Sequence, residues 1–215
     1  MAATTHQRSL SGLYVVLDPS VSPNRPLPEV LEQSAKAGAR IFQYRNKVDS
    51  MKEAYAEALL LRKVASDWGV WFIVNDRCDL ALAVEADGVH LGQDDLPYAE
   101  ARMLLGPGKI IGLSTHNAEQ VRQADKLKPD YIGFGPMFKP ASKHNYDPVV
   151  GLEGLRQIRP FTSLPIFAIG GIRADQVKAV LQAGANGIAV ISAVLAAPDV
   201  KKAVEQLISM LSSRS

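Results

Sequence analysis

Eight short apolar runs, each followed by a stretch with helical spacing, recur along this chain, and their alternation limits the fold more than any single residue does. The runs lie at residues 13–17, 40–44, 70–74, 87–91, 109–113, 130–134, 165–169 and 187–191. Helical spacing covers 27–37, 50–65, 78–84, 97–105, 117–127, 152–158, 174–183 and 199–210. Successive strands joined by helical crossovers pair in parallel, so the expected product is a parallel sheet with helices outside. Roughly 200 residues for eight such units is the short end of the (β/α)8 TIM barrel range, and a single-domain barrel over residues 12–215 is the predicted architecture. Residues 1–11 are mostly polar and read as a flexible N-terminal tail. An open doubly wound sheet is the rival, weakened because no glycine-rich fingerprint follows the first strand.

Composition narrows the function. Hydrophobic residues make up 47% and charged residues 21%, enough apolar material for a sizeable core. A formal charge of +2 is too small for the dense basic face of a nucleic-acid binder, so any anion must be met locally. Cys78 is the only cysteine, which rules out an intrachain disulfide. No apolar run approaches the roughly twenty residues of a membrane span, and the first residues lack the apolar core of a signal peptide. A cytoplasmic protein acting on small molecules is expected, and a homo-oligomer is compatible with this.

Loops that follow the strands of such a barrel share one face, so residues distant in sequence become neighbours there. Collected strand by strand, they are Arg45 and Lys47, Asn75 and Asp76, Gln93 to Asp95, Ser114, Lys143 in the long 135–150 connection, Gly170 and Gly171, and Ser192. Asp76 and Asp95 end adjacent strands and suit Mg2+, which commonly takes one or two carboxylates and completes its shell with water and phosphate oxygens. As plain structure, Asp76 would cap the following helix and Asp95 would be a solvated loop acid. Arg45, Lys47 and Lys143 on the same face would repel the metal unless an anion joined them. The metal and three bases less two acids leave about three positive charges, close to those of a diphosphate ester. Glycines after the seventh strand and Ser192 after the eighth mark the recurrent phosphate site of these barrels. One face would then hold a diphosphate with its metal and, separately, a monophosphate. His90 and His116 read as structural hydrogen-bonding residues, and no Ser-His-Asp spacing or cysteine metal motif is present.

Between Leu13 and the last helix the chain carries, in order, Gln43-Tyr44-Arg45-Asn46-Lys47, Asn75-Asp76-Arg77, His90-Leu91-Gly92-Gln93-Asp94-Asp95, Ser114-Thr115-His116, Gly133-Phe134-Gly135-Pro136, Ile169-Gly170-Gly171-Ile172 and Ile191-Ser192. Together these motifs resemble the thiamine-phosphate synthase family. The resemblance implies a transferase that joins 4-amino-2-methyl-5-pyrimidinylmethyl diphosphate to 4-methyl-5-(2-phosphooxyethyl)thiazole by Mg2+-assisted, dissociative loss of diphosphate. It further implies that Asp76 and Asp95, rather than Asp94, hold Mg2+, and that Arg45, Lys47, Asn75 and Lys143 hold the diphosphate. Gln43 would face the pyrimidine within the substrate-binding stretch that includes Tyr44 and Asn46, and Ser114 would lie by the leaving group. Gly171, Ile191 and Ser192 would bind the thiazole phosphate.

One stretch departs from the pattern. The family's long loop usually reads Pro-Thr-x-Thr/Ser-Lys, whereas this chain has Lys139-Pro140-Ala141-Ser142-Lys143. The last hydroxyl and the lysine of that pattern survive as Ser142 and Lys143, and the resemblance implies that Pro140 and Ala141 lie with them in the substrate-binding stretch. Pro140 brings neither hydroxyl nor N–H where the family has threonine, which predicts weaker thiazole-phosphate binding. Two other readings stay open: an isomerase like the thiazole tautomerases, needing neither metal nor diphosphate cations, and a non-catalytic barrel that binds thiamine phosphate.

Overall fold

The computed structural model describes residues 10–22, 24–139 and 148–212. Eight parallel strands close on themselves in chain order: β1 Gly12–Leu17, β2 Ile41–Tyr44, β3 Trp71–Asn75, β4 Gly88–Leu91, β5 Ile110–Thr115, β6 Tyr131–Phe134, β7 Ile166–Ile169 and β8 Gly187–Val190. Pairing of β8 with β1, Gly187 beside Gly12 and Ala189 beside Tyr14, removes both sheet edges. The expected TIM barrel is the fold observed.

Around the barrel lie α1 Leu27–Lys36, α2 Met51–Trp68, α3 Cys78–Ala83, α4 Tyr98–Leu105, α5 Ala118–Leu127, α6 Gly151–Ile158, α7 Val177–Gln182, α8 Ser192–Leu195 and α9 Val200–Ser212. Their limits follow local chemistry. Ser50 and Glu53 exchange hydrogen bonds as a capping box that starts α2, and Gly69 in the left-handed region ends it. Asn117 accepts from the Gln120 N–H and starts α5. Helical spacing from residue 174 predicts one continuous helix; the first three residues instead form a 3-10 turn, with the Gln176 side chain accepting from the Arg173 N–H. The short α8 was not expected from the pattern. No helix among the described residues is long and apolar enough to cross a membrane.

Both faces of the strands are buried, which is why they read as continuous apolar runs. Outward residues such as Val15, Phe42, Tyr44, Phe72 and Ile111 pack against Val30, Leu31, Ala58 and Leu61 of the helices. Each such side chain, fully buried, stabilises the fold by about 1.5–3 kcal/mol. A second cluster fills the barrel itself: Tyr14, Ile41, Ile73, Tyr131, Phe167 and Ala189. Strand register balances large residues against small ones there, placing Gly112 between His90 and Tyr131 and setting Gly187 beside Phe167. The interior is therefore packed below, and a cavity opens above it at the mouth.

Candidate active site

The mouth at the C-terminal ends of the strands holds a small cavity of about 110 Å3. Gln43, Arg45, Asn75, His90, Ser114 and Ile191 line its upper part, with Tyr14, Tyr131 and Phe167 among the residues below. A wider hollow of about 270 Å3 lies at the opposite end, lined by Gly12, Arg40, Asn186 and Ile208, and holds none of the strand-end residues collected from the sequence. Of the residues collected from the strand ends, Arg45, Asn75 and Ser114 line the smaller one.

Arg45 follows β2, its N–H continuing the ladder to the Leu17 carbonyl at 2.9 Å. Its guanidinium is paired with Asp18, a carboxylate only 3% exposed. The other Asp18 oxygen accepts from the Ser20 N–H at 3.0 Å and its hydroxyl at 2.6 Å. Asp18 thus fixes the cation at the cavity rim. Asp18 is absent from the residues collected strand by strand from the sequence, although it occupies the same post-strand position as they do.

Asp76 follows β3 with φ 62°, a left-handed conformation that Asp tolerates better than most residues, and donates its N–H to the His90 carbonyl at 2.8 Å. This turn aims its carboxylate at the mouth, where the Lys47 ammonium pairs with it. Asp95 folds inward to accept from the Gly92 N–H at 2.6 Å, while Asp94 stays exposed. A Cβ on Gly92 would lie 2.9 Å from the Asp95 carboxylate, so glycine makes this close approach possible. Burial raises the Asp95 carboxyl above its ordinary range, and the Asp76 carboxylate within hydrogen-bonding reach adds to the rise; the Gly92 N–H and Lys47 oppose it. Two acids crowded in this way fit a divalent cation between them, with water and a ligand's oxygens completing its shell. No cluster of three or more metal-ligating side chains occurs among the described residues, so a two-carboxylate site is the most they offer.

Beneath the rim a chain of hydrogen bonds crosses the barrel. The Gln43 amide donates to the Tyr14 hydroxyl at 2.9 Å, the Tyr14 and Tyr131 hydroxyls lie 2.8 Å apart, and Tyr131 meets His90 Nδ1 at 3.0 Å. His90 Nε2 then meets the Ser114 hydroxyl at 2.9 Å. Burial lowers the His90 imidazole to about 4, so the ring is neutral near pH 7, and burial raises both phenols. Among the histidines read as structural, His90 holds Ser114 in place, and His116 donates from Nδ1 to the Gly135 carbonyl at 2.7 Å.

Not every residue expected at the site reaches the cavity. Tyr44 points outward into the layer beneath α2, where its hydroxyl donates to Glu57 at 2.8 Å. Asn46 donates to the Tyr44 hydroxyl and accepts from the N–H groups of Val48 and Asp49, shaping the β2–α2 loop that carries Lys47. Inward and outward positions alternate along a strand, so Gln43 and Tyr44 could not both face the cavity. Gly171, at φ 65°, has the Lys139 carbonyl 2.6 Å from where a Cβ would stand; Gly170 is crowded by Pro136. The Gly-Gly turn is thus required by the backbone of the β6 loop, besides any ligand. Ile191 lines the cavity and Ser192 opens α8. Pro140, Ala141, Ser142 and Lys143 lie outside the described residues.

The family model described as thiamine monophosphate synthase matches residues 13–194. The chain belongs to this family. It is 44% identical to the thiamine-phosphate synthase of Shouchella clausii, covering 94% of this chain and 97% of that one. It is 48% identical to that of Chloroflexus aurantiacus, covering 93% and 92%. The solved thiamine phosphate pyrophosphorylase of Pyrococcus furiosus superposes with a TM-score of 0.83 at 40% identity, over 93% of this chain and 95% of that one. The segment matched to the thiamine monophosphate synthase family contains every residue placed at the mouth above, from Asp18 to Ser192.

Proposed function

We propose that this chain works as a thiamine-phosphate synthase, joining 4-amino-2-methyl-5-pyrimidinylmethyl diphosphate to 4-methyl-5-(2-phosphooxyethyl)thiazole with release of diphosphate. The observation that carries this reading is the crowding of the Asp76 and Asp95 carboxylates at a rim that also holds Arg45 and Lys47. Two acids and two bases at one rim balance best when a divalent cation and a multiply charged anion join them. Asp76 and Asp95 would hold Mg2+, which supplies positive charge to the departing diphosphate.

The remaining work falls to the chain. As the methylene C–O bond breaks, its electron pair leaves with the diphosphate, whose oxygens Arg45, Lys47, Asn75 and Lys143 hold. The charge left on the methylene spreads into the aminopyrimidine ring beside Gln43. The thiazole nitrogen then gives its lone pair to the methylene carbon; it carries no proton, so no strong base is needed. Gly171, Ile191 and Ser192 hold the thiazole phosphate and thereby orient the nucleophile. The substrates are small and soluble and the single thiol, Cys78, is buried and free, which suits a cytoplasmic setting.

Following diphosphate release from both substrates, with and without Mg2+, tests the reading. Release that needs both substrates and Mg2+ is expected. Conversion of a thiazole phosphate alone would point to an isomerase, and binding of thiamine phosphate without release to a non-catalytic barrel.

Two further results are expected in the same assay. Asp18→Asn should raise the KM for the pyrimidine diphosphate by roughly tenfold, since it weakens the charge-assisted bond that fixes Arg45. Steady-state kinetics with the thiazole phosphate saturating would check this, and an unchanged KM would separate Asp18 from the diphosphate. Pro140→Thr should lower the KM for the thiazole phosphate by restoring a hydroxyl and an N–H, leaving kcat near its original value. An unchanged KM would show that Pro140 costs nothing.

A further inference from the structure

The hydrogen-bond chain under the cavity joins groups that the diphosphate chemistry does not itself require. Its two phenols are each 1% exposed, so their protons have no recourse to solvent. The Gln43 amide N–H donates to Tyr14, and the only other described partner of the Tyr14 hydroxyl is Tyr131. The Tyr14 proton therefore points to Tyr131, and the Tyr131 proton to His90 Nδ1. A neutral ring that accepts at Nδ1 carries its proton on Nε2, which it donates to the Ser114 hydroxyl oxygen. Ser114 must then turn its own proton elsewhere, and it lines the cavity. In the reverse direction the Gln43 N–H and the Tyr14 O–H would meet as two donors, and the phenol proton would be buried without a partner.

We propose that Tyr14, Tyr131 and His90 are positioning residues that polarise the cavity across the barrel, leaving Gln43 an acceptor through Oε1 and Ser114 a donor through its hydroxyl. A ligand that fits offers an N–H near β2 and a lone pair near β5. An aminopyrimidine carrying a diphosphate has both: the exocyclic amine donates, while ring nitrogens and diphosphate oxygens accept. This deepens the synthase reading and rests on it only for the identity of the ligand. The chain itself is a property of the protein alone.

The test begins with imidazole 15N–1H correlation spectra of the full-length protein without substrate, the His90 signals being assigned by their loss in His90→Gln. A ring protonated at Nε2 and bare at Nδ1 is expected; protonation at Nδ1 overturns the proposal. Tyr131→Phe should then give a mixed tautomer and lower kcat by roughly tenfold, the size of one neutral hydrogen bond, with the KM for the thiazole phosphate within about twofold of its original value. An unchanged tautomer and kcat in that variant would also overturn it. Because the tautomer is read without substrate, its failure would leave the synthase reading intact, and absence of diphosphate release would leave the tautomer intact.

Discussion

Asp76→Asn is expected to lower turnover by roughly a thousandfold while leaving the melting temperature unchanged or slightly raised. Asparagine keeps the side-chain shape and tolerates the left-handed backbone at φ 62°, so the turn after β3 should survive. What disappears is a negative charge that pairs with the Lys47 ammonium and that, on the proposed reading, also serves a divalent cation. Lys47 is half exposed and would be free to swing away from the rim. Without a metal, the same change relieves Asp95 of the neighbouring carboxylate that helps hold its carboxyl up, which favours the folded state. A residue that only capped the following helix would behave in the opposite way, losing stability while keeping its rate. Rates of diphosphate release at saturating Mg2+, measured beside thermal unfolding in its absence, separate the two roles. A variant with full turnover would remove Asp76 from the site.

The barrel could be read from the sequence because each strand is buried on both faces, which makes it a continuous apolar run, and each is followed by a helix of different period. That same burial hid the interior. Tyr14 and Val15 look alike in a run of five apolar residues, yet one lies inside the barrel in the hydrogen-bond chain and the other packs against the helices. The signal that distinguishes them was present in the small residues. Gly112, Gly133 and Gly187 occupy strand positions where glycine is otherwise unfavourable, and register places them among the rings of His90, Tyr131 and Phe167. Collecting post-strand residues brought Arg45, Asn75, Asp76, Asp95 and Ser114 to one mouth because that rule depends only on topology. The family resemblance, not that rule, placed Tyr44 in the same group, because a motif gathers neighbours irrespective of the face they take. The four residues of α8 carry too little periodicity to be noticed, and Arg25, whose guanidinium donates to the Leu195 and Ala197 carbonyls at the end of that helix, is remote in sequence.

Gly112→Ala is expected to destabilise the protein by about 3 kcal/mol or more, the upper range for overpacking a well-filled core. Its Cβ would stand 2.1 Å from Cζ of Tyr131 and 2.5 Å from both Cε atoms. The ring cannot retreat. Its hydroxyl is held by Tyr14 and His90, and it packs edge-on against Tyr14 and Phe167 with centroids 5.8 and 5.4 Å away. For a domain of this size the loss corresponds to a drop in melting temperature of roughly 6–12 °C. Activity should fall as well, because a displaced Tyr131 hydroxyl no longer meets His90. Gly108→Ala is the control: nothing lies within 4 Å of its Cβ position, and it should be neutral or slightly stabilising. Tyr131→Leu in the Gly112→Ala background gives back the occupied space and should recover much of the lost stability, giving strong coupling in the double-mutant cycle. It should not recover the rate, because leucine restores packing without the hydroxyl. If Gly112→Ala melts with the wild-type protein, the interior is looser than these contacts require, and the hydrogen-bond chain that depends on a fixed Tyr131 loses its support.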